Sequence, residues 1–257
     1  AYGGLDYVQL HGVGGVQLVL LRSLADFKKG NFTPEYAKSI GDKLRENGIR
    51  VPILGCYINP SDANEESLNE SLDYFIENLH YAKYIGAEMV GLETCRFSDD
   101  DEINNSEETY QYLLKNMKKL VSAAEEIGVN VGIEGVHFHV INTPTKMKRL
   151  VDDLNSPNVR VIFDPVNYIN TANYKNQDEI INTHFDLLGE KTKLLHLKDF
   201  KLVDGEVAYE FPCDGLLNKD LLWDKLKQYN PDIAVILEEV KEDHLAQVKA
   251  AVEKRFV

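Results

Sequence analysis

The sequence predicts an α/β protein, a single (β/α)8 TIM barrel over residues 1–257, on three observations. Short β-rich runs alternate with long amphipathic stretches along the whole chain. Most of those runs are continuously apolar rather than alternating, as strands of a parallel sheet covered on both faces should be. No linker, internal repeat or low-complexity tract interrupts the 257 residues, and about 250 residues is an ordinary length for such a barrel.

Strands are expected at 6–10, 50–57, 88–92, 130–134, 160–164, 193–197 and 233–238. Between them lie helical faces. Leu72, Phe75, Ile76, Leu79 and Ala82 form one stripe, Leu113, Met117, Leu120, Val121 and Ala124 a second, and Leu245, Val248 and Val252 a third. Gly48, Gly86 and Gly128 each follow a helical run and precede a strand, where a left-handed residue belongs. Thr33-Pro34 and Thr143-Pro144 each pair an N-cap with proline at the first helical position. This makes seven β-then-α units, one short of eight. The apolar run at 16–21 follows Leu10 too closely for a parallel neighbour, whose crossover takes roughly a dozen residues, so it is not expected as the adjacent barrel strand. The expectation is a chain that begins after the first βα unit, because Ala1-Tyr2-Gly3-Gly4 reads like the end of a helix.

Composition excludes several classes. A hydrophobic fraction of 44% supports a full core and rules out intrinsic disorder. Lys and Arg total 28 against 42 Asp and Glu, a net charge of −14 that repels phosphodiester backbones, so no nucleic-acid partner is expected. No apolar run approaches the roughly 18 residues of a membrane span, and no basic segment leads into an apolar one as in a signal peptide. Cys56, Cys95 and Cys213 are odd in number and lack a C-x-x-C spacing, which fits a reducing compartment. A soluble, cytoplasmic, acidic protein is expected.

In a barrel of this type the strand C-termini and the loops after them build the active site. Four expected strands end in a carboxylate or histidine: Val-Gly-Ile-Glu134, Val-Ile-Phe-Asp164, Leu-Leu-His196 and Val-Ile-Leu-Glu238. They stand 30, 32 and 42 residues apart, each close to one βα repeat. Any one alone reads as a solvated cap or a partner of lysine. Four in register suit a divalent cation with open positions, Mn²⁺, Mg²⁺, Co²⁺ or Zn²⁺, which would offset the cost of placing each polar group at the end of an apolar strand.

The segments Ile-Glu134-Gly-Val-His137, Phe-Asp164-Pro-Val-Asn167, Leu-His196-Leu-Lys-Asp199 and Leu-Glu238-Glu239 resemble the xylose-isomerase-like barrel superfamily of sugar isomerases and epimerases. The resemblance, closest in kind to the ketose 3-epimerases, implies metal ligation by Glu134, Asp164, His196 and Glu238, with the two glutamates also moving protons. Glu239 is the alternative last ligand; Glu238 is preferred because it directly follows the apolar run. The chain departs from its relatives at three places. Asn167 stands where many carry a substrate-contacting histidine, Lys198-Asp199-Phe200-Lys201 lacks the arginine of the ketose epimerases, and Cys213-Asp214-Gly215-Leu216 keeps one glycine of a richer turn.

Substrate contacts are expected from His137, Asn167 and Lys198. His137 and His139 follow Glu134 at odd spacing, so His137 reaches the site only if the strand ends near Val136. Lys198 shares the face of His196 and reads either as an oxygen ligand's donor or as a carboxylate's salt-bridge partner. Glu93 reads as a strand-end ion pair, His11 as a mouth residue by position only, Trp223 as helix packing, and 98–102 as a solvated acidic loop. The expected function is a metal-dependent isomerase or epimerase of a small ketose or sugar derivative, working by proton transfer through a metal-stabilised enediolate. A metal-dependent dehydratase of an inosose-like substrate is the alternative, and an endonuclease IV-like phosphodiesterase is disfavoured by the charge and the seven histidines. Association into a homo-oligomer is expected from the resemblance alone.

Overall fold

The computed structural model describes residues 14–256. The expected strand at 6–10, His11 and the helix-like start at Ala1 lie outside the described residues. The described residues form two compact units, one of residues 14–134, 138–140 and 150–160, the other of residues 135–137, 141–149 and 161–256.

In the first unit, β1 (Gly15–Leu18), β2 (Arg50–Gly55), β3 (Met89–Glu93) and β4 (Asn130–Glu134) pair in parallel in chain order. α1 (Leu20–Ser23), α2 (Pro34–Glu46), α3 (Glu65–Ile85), α4 (Asp101–Asn104) and α5 (Glu107–Ile127) fill the crossovers. The run at 16–21 is corrected here: its first half is β1, the parallel neighbour of β2, and its end turns into α1. The crossover limit applied only to Leu10, whereas α2 lies between β1 and β2 and supplies an ample connection.

Local chemistry accounts for the helices. Thr33 caps α2 by accepting the Tyr36 N–H, with Pro34 at the first position, and Asn64 and Ser106 cap α3 and α5 in the same way. Gly86 and Gly128 end α3 and α5 in the left-handed conformation, and Gly48 follows α2 in the same state. The expected stripes are the buried faces: Leu72, Phe75, Leu79 and Ala82 on α3, and Leu113, Met117, Leu120, Val121 and Ala124 on α5. Each large aliphatic or aromatic side chain so buried contributes about 1.5–3 kcal/mol.

In the second unit, β6 (Thr192–Leu197) pairs in parallel with β5 (Val159–Phe163) and with β9 (Ala234–Leu237). α7 (Gln177–Leu188), α8 (Lys219–Tyr229) and α9 (Leu245–Phe256) are its helices; α6 (Pro144–Leu154) begins in this unit and ends in the first, and Thr143 accepts the Lys146 N–H as its expected cap. An antiparallel hairpin, β7 (Asp199–Val203) with β8 (Glu206–Glu210), follows β6 directly. Sequence reading missed it, although Asp204-Gly205 was the signal. Both residues have positive φ, 53° and 89°, as a two-residue type I′ turn requires. Trp223 packs in the core of this unit with Phe163, Phe185 and Leu226.

His184 is fully buried there, stacked on Phe163 with ring centroids 3.6 Å apart. The Thr192 hydroxyl donates to the Leu188 carbonyl, so it accepts from His184 Nε2 at 2.9 Å, which leaves Nδ1 the bare, buried nitrogen without a hydrogen-bond partner. Burial therefore pushes the imidazole from its ordinary 6.5 down to about 3. Between those values the unfolded chain binds a proton that the folded one refuses, so stability falls as the pH is lowered through this window. The expected slope is up to about 1.4 kcal/mol per pH unit from this residue. Urea midpoints of wild type and His184→Phe between pH 4 and 6 check it; equal slopes in the two proteins would reject the assignment.

Candidate functional site

Asp164 directly follows β5 and is fully buried. Its Oδ1 accepts the backbone N–H groups of Val166 (2.8 Å) and Asn167 (3.1 Å), opening a short 3₁₀ turn at Val166–Tyr168. Its Oδ2 meets the Lys198 ammonium at 2.7 Å. The turn after β5 thus fixes the carboxylate's orientation with its own backbone.

His196 lies within β6, buried at 1% exposure, and its Nδ1 is 3.3 Å from Glu238 Oε1. Glu238 follows β9 and is tied to β6 by its backbone N–H, which donates to the Leu197 carbonyl at 2.9 Å. Its Oε2 lies 3.2 Å from Lys198 Nζ. Lys198, 5% exposed, therefore carries its charge between Asp164 and Glu238, with the Tyr209 ring 4.8 Å away. Of the two adjacent glutamates, Glu238 faces these groups, while Glu239 is exposed in a left-handed turn at φ 56°.

Glu134 ends β4 directly before Gly135, with which the second unit opens, and is 2% exposed. Glu134, Asp164 and His196 are each buried, the last two within the second unit, where Glu238 stands beside His196. Carboxylates with an imidazole are an oxygen-and-nitrogen donor set that fits a hard or borderline divalent cation.

The other expected residues are dispersed. Asn167 is buried and its carbonyl accepts the His137 backbone N–H at 2.6 Å. The His137 side chain lines a cleft of about 370 Å³ with Ile169, Asn170, Thr171, Glu206 and Tyr209. His139 instead packs in the first unit, where Nδ1 accepts the Cys95 N–H at 3.1 Å and Nε2 faces Glu93 Oε2 at 3.8 Å. The acidic loop contributes a cap, Asp100, to α4 and an ion pair from Asp101 to Arg96.

Asp199 was missed as an organising residue. Fully buried, it accepts the N–H groups of Phe200, Gly215 and Leu217 and the Lys219 ammonium, each at 2.9 Å. It clamps the base of the hairpin next to Lys198. A Cβ on Gly215 would lie 2.4 Å from Asp199 Oδ1, so glycine is what permits this approach.

Residues 5–255 match the sequence model of the xylose isomerase-like TIM barrel family. The chain belongs to this family. Its fold class is accordingly the α/β TIM barrel read from the sequence, with one family model spanning both compact units. Solved structures similar in fold include the IolI protein with a binding zinc atom, at TM-score 0.77 and 17% identity over 98% of this chain and 91% of that one. They also include the probable 3-DHS dehydratase AsbF from Bacillus anthracis, at TM-score 0.76 and 12% identity over 98% and 93%. A third is D-psicose 3-epimerase in the presence of D-fructose, at TM-score 0.72 and 16% identity over 99% and 92%. No curated protein sequence matches the chain. Among the described residues of this xylose isomerase-like protein, no helix is long and apolar enough to cross a membrane.

Proposed function

We propose that this protein is a divalent-metal-dependent isomerase or epimerase of a small ketose or sugar derivative. The observation that carries the reading is a buried carboxylate and imidazole, Asp164 and His196, with Glu238 3.3 Å from the imidazole in the same unit; the buried Glu134 that ends β4 is the second glutamate. Binding alone needs no second glutamate, whereas inverting a carbon by taking a proton from one face and delivering one to the other uses two acid–base groups. Membership of the xylose isomerase-like family and the D-psicose 3-epimerase neighbour support this class, while the probable 3-DHS dehydratase neighbour favours the alternative of a lyase.

Glu134, Asp164 and His196 would hold the cation, with Glu238 as the fourth ligand; Mn²⁺, Mg²⁺, Co²⁺ and Zn²⁺ all suit these donors. When bound, it would supply positive charge to substrate oxygens as the neighbouring carbon loses its proton. Asp164, locked by two N–H groups and an ammonium, serves as a fixed anchor. Glu134 and Glu238 are the acid and base, one removing a proton and the other returning one. Lys198 donates to a substrate hydroxyl beside Glu238, and His137 and Asn167 contact the remaining hydroxyls.

Elemental analysis of protein purified without chelator tests this, alongside a His196→Ala variant and a ketose panel whose products are read by chromatographic mobility and mass. About one metal per wild-type chain, a marked loss in the variant, and isomeric products are expected. Equal metal in both proteins would remove the site, and a product lighter by one water would replace the isomerase with a dehydratase.

A further inference from the structure

The cleft beside the β7–β8 hairpin carries one carboxylate, Glu206, among its lining residues, and Tyr209 is shared between it and the Lys198 ion pairs. Tyr209 lines the cleft on one side and stands 4.8 Å from Lys198 Nζ on the other. The His137 wall is pinned to the same region, because its N–H donates to the carbonyl of Asn167, whose own N–H donates to Asp164. Thr171 organises the floor: its hydroxyl donates to Glu206 Oε2 at 2.6 Å and accepts the Val207 N–H at 3.2 Å. The Glu206 carboxylate is thereby held at the cleft wall.

The lining contains no lysine or arginine. The ammonium beyond Tyr209 is already shared by Asp164 and Glu238. A phosphate entering the cleft would meet Glu206 without a cation to offset either charge, on a chain whose net charge is −14. Sugar hydroxyls meet the opposite situation. The carboxylate accepts from them, the Asn170 side-chain NH₂ can donate while its Oδ1 is held by the Ala172 and Asn173 N–H groups, and Tyr209 offers an aromatic face.

We infer that this cleft receives the hydroxyl-bearing, unphosphorylated end of a sugar whose reacting carbon lies at the Asp164, His196 and Glu238 site, with Glu206 as the residue that selects against a phosphate. The inference rests on the sugar-isomerase reading above and narrows its substrate class.

The test is equilibrium binding to the Mg²⁺-loaded protein by saturation-transfer NMR. The probes are D-fructose, D-psicose and D-tagatose, each compared with its 6-phosphate. At least one free sugar is expected to bind, and its phosphate about tenfold more weakly or worse. Glu206→Gln is expected to weaken the free sugar about tenfold, the loss of a hydrogen bond to a charged group. Glu206→Lys, on an exposed hairpin position, should reverse the preference. Binding of the phosphate as tightly as the free sugar, an unchanged preference in both variants, or no binding by any probe overturns the inference. Deuterium entry from solvent into the same samples separates the two claims. The expected binding preference with neither isomeric product nor exchange sinks the isomerase reading and leaves the cleft, while exchange with a phosphate preference does the reverse.

Discussion

Glu134→Gln and Glu238→Gln are each expected to lower turnover of the ketose by about 10²- to 10⁴-fold, the usual contribution of a positioned acid or base. The reason is the weakness of the carbon acid. A carboxylate cannot strip a proton from carbon beside a ketone unaided at neutral pH, so the charge left on oxygen must be met as it forms. Glutamine keeps the size of each side chain and most of its hydrogen bonds but cannot take the proton. Glu238 is the better-defined test, because its carboxylate lies 3.3 Å from His196 Nδ1 and 3.2 Å from Lys198 Nζ. Read at saturating Mg²⁺, which offsets the loss of a charged ligand, its variant should lose kcat more than KM and cease to carry solvent deuterium into the product's carbon-bound position. Glu134→Gln should show a loss of the same order, since it too removes a ligand together with a base. Full activity in both variants with metal still bound would exclude proton transfer by these residues.

Removal of the Lys198 ammonium is the second large effect. Asp164 is wholly buried and Lys198 nearly so, 2.7 Å apart. Breaking such a pair from one side costs about 3–5 kcal/mol, because the remaining charge stays in a medium that solvates it poorly. Lys198→Met keeps the length and the apolar stem, so the loss it reports is chiefly electrostatic. In the metal-free protein the variant is expected to unfold at a clearly lower urea concentration than wild type. Added Mg²⁺ should recover more stability in the variant than in wild type, since a cation at Asp164 replaces charge that the lysine had supplied. Equal midpoints for the two metal-free proteins would show that Asp164 does not depend on this ammonium. An identical response to Mg²⁺ would separate Lys198 from the cation site.

Much of the fold was legible because its signals are local. The buried stripes of α3 and α5, the left-handed glycines at 48, 86 and 128, and the caps at Thr33 and Thr143 each depend on residues within a turn or two of one another. The strands β4, β5 and β6 announced themselves by apolar runs terminating at or near Glu134, Asp164 and His196, and the repeat spacing suggested that these groups belong together. The hairpin was overlooked although Asp204-Gly205 marked it, because β7 and β8 lack the long apolar runs that drew attention elsewhere.

The chain by itself thus determined its class of fold, its caps and turns, and a short roster of carboxylates and histidines at strand ends. Only the tertiary structure decided what each polar group touches. His137 and His139, two residues apart, part company: the first lines the cleft with Tyr209 and the second accepts a hydrogen bond from Cys95. Lys198, for which two readings stood open, carries its ammonium between Asp164 and Glu238, from residues 34 and 40 positions away. Asp199, one residue on, gathers partners as distant as Lys219 and holds the hairpin base. Periodicity records which side of a strand or helix faces the core, since that follows from backbone geometry within a few residues. The partner of a buried charge is chosen by contacts between segments remote in sequence, where the cost of leaving that charge unpaired is settled only once the chain has packed.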